Sequence, residues 1–230
     1  MGAFKTLAFL AGLGTGTAPA DTAQQAVADA HQAAPVDLAQ VDALVVTGGG
    51  VAATIGTDPS RPLSATLDRT EGCDATMRVE GRRLIVDIRE ENWGWPRDCR
   101  PSLSVNLRPG TDVTLRPAAL SAALDGRFGA VAVDSQAAEV SLAGRVWTLD
   151  LSAKALKATI RNTSPDPGQA IRIDGKAVDV DLGFRRGTPV TYAVDAKVSM
   201  VESTVPVSAG GRPSVSVTGK FVRARIGYID

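Results

Sequence analysis

The run IRIDGKAVDVDL, residues 171–182, sets Asp174, Asp179 and Asp181 on a short alternating segment. Three carboxylates so close together could ligate calcium, share acid and base roles, or form the wet side of a strand. A second group lies in REENWGWPRDC, residues 89–99, where Trp93 and Trp95 flank one glycine. Paired indoles with charges on both sides could make a platform that stacks on a sugar or a partner side chain. They could instead plug or cover the end of a fold, and that reading is favoured. Cys73 and Cys99 are the two cysteines, and His31 is the single histidine. No His/Asp/Ser or Cys/His constellation, metal-ligand spacing or phosphate loop before a helix can be read from the sequence. The glycines of VTGGGVAATI lead into a strand pattern, which is not how a nucleotide-binding loop continues.

Which use the aspartates have depends on the element that carries them, and that element recurs. IDGKAVDVDL (173–182) returns as VTGKFVRARI (217–226) with the Gly-Lys pair in the same place. Its last six positions return as GVAATI (50–55), GTDVTL (110–115), AAEVSL (137–142), ALKATI (155–160) and, more loosely, DAKVSM (195–200). Near-regular recurrence of this kind marks a stacked repeat. Strand side chains alternate between faces, so each copy separates into two rows. One row is apolar apart from Thr111; it includes Val178, Val180 and Leu182, and in the loose copy Ala196, Val198 and Met200. The other row is polar apart from Ala52, and its sign changes from copy to copy, as in Glu139, Lys157, Asp179 and Arg223. A place that takes either sign is specified only as solvent-facing. Asp179 and Asp181 therefore read as a wet face rather than as a calcium site.

A second short strand precedes most copies, among them ALVV (43–46), LSVNL (103–107), IRI (171–173) and VSV (215–217). The unit is strand, turn, strand, turn, with no helical period between 41 and 230. One unit cannot bury its apolar face alone, whereas stacked units can. The predicted fold is all-β: a single-domain β-solenoid or β-roll over 41–230. Its N-terminal half is irregular and disulfide-linked, with strands near 63–68, 76–80 and 83–88, and the last pair of strands closes the stack. Trp147 is assigned to the core.

The first residues give the compartment. MGAFKTLAFLAGLGTGTAPA has one cation, Lys5, then an apolar run, then small residues with Ala18 and Ala20 before Asp21. That order is a signal peptide over 1–20, and 21–40 reads as a flexible lead-in. No other stretch is long and apolar enough for a transmembrane span. Export and the even count make Cys73–Cys99 a disulfide. The formal net charge is +0, which gives no global electrostatic case for nucleic acid or an anionic membrane.

The repeated Gly/Ala-x-x-Val-Ser/Thr-Leu/Ile strand and PSLSVNLRPGTDVTLR (101–116) together resemble the bacterial putative-adhesin domain-of-unknown-function family. The resemblance spans roughly residues 41–230. It implies an exported, solenoid-like protein of the cell envelope and brings no catalytic residues and no cofactor. The expectation is a non-enzymatic protein, periplasmic or at the cell surface, offering a rigid surface for adhesion or assembly to an envelope protein or glycan. The alternatives are a carbohydrate-binding module built on Trp93 and Trp95, or a polysaccharide-active β-helix enzyme. An enzyme would draw on Asp174, Asp179, Glu139, Lys157 and Arg172.

Overall fold

A computed structural model describes residues 37–90, 99–162 and 168–229. The residues expected to form a signal peptide, most of the expected lead-in, and both Trp93 and Trp95 lie outside the described residues. Among the described residues nine strands follow in order: β1 (Ala43–Gly56), β2 (Ser64–Asp68), β3 (Cys73–Glu80), β4 (Arg83–Glu90) and β5 (Ser102–Asn106). Then come β6 (Thr111–Asn162), β7 (Ala170–Arg185), β8 (Thr191–Ser203) and β9 (Ser214–Ile229).

Alternating Val, Leu and Ile with polar residues produce these strands, and their pairing follows a rung pattern. β1 lies parallel on the first third of β6, with Leu44 opposite Val113 and Val51 opposite Leu120. The last third of β6 lies parallel on β7, β7 on β9, and β9 on β8. Within β6 the repeat is 18 residues: Glu139 bonds Lys157 and Gln136 bonds Lys154 across that offset. At the turn between rungs, a Cβ on Gly144 would fall 2.1 Å from the Gly126 carbonyl oxygen, and both glycines have φ near +120° (122° and 124°). Glycine is required there by close backbone approach and by φ.

Each rung has two arms. Along β7, Ile171 and Ile173 point inward, Lys176 and Ala177 are both exposed, and Val178, Val180 and Leu182 point inward again. Two successive exposed residues mark a corner, where the alternation slips by one. Arms on either side send their apolar rows into one core. The unit is thus strand, bend, strand, and the chain bends where the sequence suggested turns.

The all-β stack and the irregular N-terminal half are present as expected, with Cys73 bonded to Cys99 (Cα–Cα 5.2 Å). Four placements differ from expectation. GTDVTL pairs with ALVV on the other arm, so the partners of Val51, Ala53 and Ile55 are Leu120, Ala122 and Leu124. In DAKVSM the phase is shifted by one: Ser199, Val201 and Ser203 stand opposite inward-facing Val222, Ala224 and Ile226. Val198 and Met200 therefore face out, 59% and 57% exposed. β9 does not close the stack; it lies between β7 and β8, leaving β8 at the edge. Trp147 is 53% exposed, because Val146 takes the inward place at the bend and the indole lies over Gly168.

Candidate binding groove

The corner of each rung creates two surfaces, one on either side of the bend. On the side of the second arm the corner residues are small. Gly50 pairs with Ala119, Ala155 with Ala177, and Ala177 with Phe221, which pairs with Val198. With Ala137 one rung earlier, they floor a groove of about 1050 Å³. Seven rungs at about 4.8 Å make it roughly 30 Å long. One end is closed by Arg69 and the segment Cys99–Pro101. The disulfide ties that segment to the start of β3. The other end opens at Val198, Met200 and Phe221, the last 61% exposed.

Along one rim, outward residues of successive rungs are Glu139, Lys157, Asp179 and Arg223, an alternating row of charge. Lys157 Nζ donates to Glu139 Oε1 at 2.7 Å. That hydrogen bond, then the carboxylate's charge, with a smaller contribution from Asp179, hold the ammonium above its ordinary value of 10.5. A general base working near neutral pH needs the opposite shift. The row acts as a self-neutralised wall.

The aspartates flagged in the sequence are not brought together. Asp179 faces Lys157 on one side and Arg223 on the other. Asp181 accepts two hydrogen bonds from Arg161, Nη1 to Oδ1 at 3.0 Å and Nη2 to Oδ2 at 3.1 Å. Asp174 lies across the bend on the first arm, exposed. Arg172 lies 3.9 Å from Asp150. Each acid thus meets a base or water, which is the wet-face arrangement. Among the described residues, no three His, Cys, Asp or Glu side chains are grouped so as to hold a metal ion.

Sequence reasoning missed the groove, although a signal for it was present. Aligning DGKAVD, TGKFVR and DAKVSM on their lysines puts Ala177, Phe221 and Val198 in one column. That is the observed register, and it places Val198 and Met200 outside.

No family model matches the chain, and no curated protein matches it. Among solved structures, one named "putative cell adhesion protein", from Clostridium sporogenes ATCC 15579, aligns at 11% identity and a TM-score of 0.36, covering 84% of this chain and 95% of its own. Another, named "putative adhesin", from Bacteroides fragilis NCTC 9343, aligns at 9% identity and a TM-score of 0.38. It covers 82% of this chain and 92% of its own.

Proposed function

We propose that the chain is an exported, non-enzymatic protein of the cell envelope whose stacked sheet presents a rigid surface for adhesion or assembly. The observation that carries this reading is the apolar groove along the stack, open at Val198, Met200 and Phe221. A concave, mostly apolar groove of this volume with charged groups along one rim is the usual form of a binding site. The Cys73–Cys99 bridge suits an oxidising compartment. Among the described residues no helix is long and apolar enough to cross a membrane. The resemblance of the sequence to adhesin-like envelope domains points the same way.

Filling the groove tests the proposal. Ala137→Arg and Ala155→Arg add bulk and charge to its floor at exposed positions, so the fold should keep its melting midpoint. In cells that lack the native chain, wild type should restore attachment or envelope assembly, and these two variants should not. Restoration by both variants at wild-type level would overturn the reading.

A further inference from the structure

Opposite charges are stacked along two outward columns of this sheet, and another column does the reverse. Glu139, Lys157, Asp179 and Arg223 alternate in sign, as do Asp181, Arg225 and Glu202. Directly opposed like charges weaken a sheet, so alternation is the arrangement that stability alone favours. At the corner position, however, four consecutive rungs carry lysine. The pairs on either side, Ala153 with Gly175 and Ala155 with Ala177, set Lys154 against Lys176. In the same way Lys176 stands against Lys220, and Lys220 against Lys197. All four are exposed. Lys154 donates to Gln136 at 3.3 Å. The first three line a second groove, of about 710 Å³, across the bend from the apolar one.

From this column we propose that Lys154, Lys176, Lys220 and Lys197 form a binding ridge for a linear acidic polysaccharide. The proposal is independent of what fills the apolar groove. Four ammonium groups at a pitch of about 4.8 Å make a line of positive charge in a chain with a formal net charge of +0. A line of regularly spaced anions is its electrostatic complement. An extended glycan with one carboxylate or sulfate per sugar supplies this, because a pyranose residue is close in length to one strand spacing. Duplex DNA, whose phosphates wind around the helix and advance about 3.4 Å along its axis on each strand, falls out of step with the straight ridge. A planar anionic membrane fits less well again, because Asp174 and Asp195 lie two residues from Lys176 and Lys197 and would meet its surface. Thr218, Gly219 and Gly175 beside the lysines are small enough to let a sugar ring approach.

Binding of polygalacturonate to the purified chain at low ionic strength, by calorimetry, tests the ridge. Neutral dextran, duplex DNA and phosphatidylserine vesicles are compared alongside. Polygalacturonate should bind, weakening as salt screens the contact, and dextran should not. Lys176→Glu with Lys220→Glu should raise the dissociation constant on the order of a hundredfold, since like-charge juxtaposition opposes association, with the melting midpoint unchanged. Lys176→Gln should weaken binding less, and Arg83→Gln, exposed on the covering strand β4 and in the lining of neither groove, should leave it unchanged. Failure of wild type to bind polygalacturonate would overturn the proposal, as would equal binding by the double variant. Tighter lysine-dependent binding of DNA or vesicles would overturn the ligand class.

Discussion

At its N-terminal end the stack is covered by two antiparallel pairs, β2 with β5 and β3 with β4, whereas at its C-terminal end it stops at the parallel strand β8. Leu67, Met77 and Val79 of the covering strands pack against the core. Cys73–Cys99 and the side chain of Asn106 fasten loops there. β8 has no counterpart to this cover among the described residues. Its inward row reads Ser199, Val201 and Ser203, and its outward row holds exposed Val198 and Met200. A stacked sheet needs its end rungs covered or made polar. The N-terminal end is covered by additional strands. The C-terminal end makes its inward row partly polar but keeps apolar residues on its outer face, where the groove opens. The contrast leaves one end fastened and the other with the groove mouth open.

The largest test of that contrast uses one column at two depths. Val180 and Val201 both pair with Ala224, one from each side. Val180 is 0% exposed and Val201 is 40% exposed. Val180→Asp should cost about 3–5 kcal/mol, because it buries an unpaired charge. Val201→Asp should cost less than about 1 kcal/mol, since water reaches the new carboxylate. Urea melts read both values, and equal losses would mean that β8 is as closed as the interior.

Next in size is the disulfide. The bridge closes a sequence separation of 26 residues. In the chain-entropy picture a loop of this length contributes about 3.5 kcal/mol. Cys73→Ala with Cys99→Ala should lower stability by about that amount and expose β3 to protease before the central rungs. Loss of protection at β8 first would reverse the assignment of the two ends.

How much of this was legible in the sequence depends on which physical rule set each feature. Alternation is local, so the inward rows of β1, β7 and β9 could be read directly from Val51, Val180 and Val222. Corners are not local signals: the exposed neighbours Lys176 and Ala177 look like an interruption until the next rung lies beside them. A strand that alternates weakly can be read in either phase, and a one-residue slip moves every side chain to the other face. Val198 and Met200 were read inward for that reason. The wet face of Asp179 and Asp181 was legible because sign variation needs no three-dimensional knowledge. The groove was not, because its floor is built from alanines 18 or more residues apart that carry no chemistry of their own. The lysine ridge has the same origin in register.

Asn106 sharpens the account of the covered end at a smaller scale. It is 2% exposed at the end of β5. Its Nδ2 donates to the carbonyls of Asp58, Arg61 and Pro62, and its Oδ1 accepts from the Asp58 amide at 3.0 Å. Asn106→Ala should cost about 2 kcal/mol, because one side chain holds the loop's polar groups and water must replace it. Hydrogen exchange should show the loss confined to the loop after β1 and to β2, with β8 unchanged.

The smallest expected effect is the titration of Asp58 in that same loop. Its Oδ1 accepts from the Ser60 hydroxyl at 2.7 Å and from the Ser60 amide at 2.9 Å. The hydroxyl bond first, then the amide bond, hold the carboxyl below its ordinary value of 3.8, with a small contribution from Arg61. Both bonds favour the ionised form. A folded value below the unfolded one means that the contribution to stability is present above pH 3.8 and is lost as pH falls through the folded value. Ser60→Ala removes the largest cause, so the Asp58 carboxyl should move back up toward 3.8. The acid limb of the stability curve should change only slightly, because the group is solvated. NMR titration of the Asp58 carboxyl carbon in both proteins measures the shift. An unchanged midpoint in Ser60→Ala would show that the Ser60 hydroxyl is not what holds the carboxyl down.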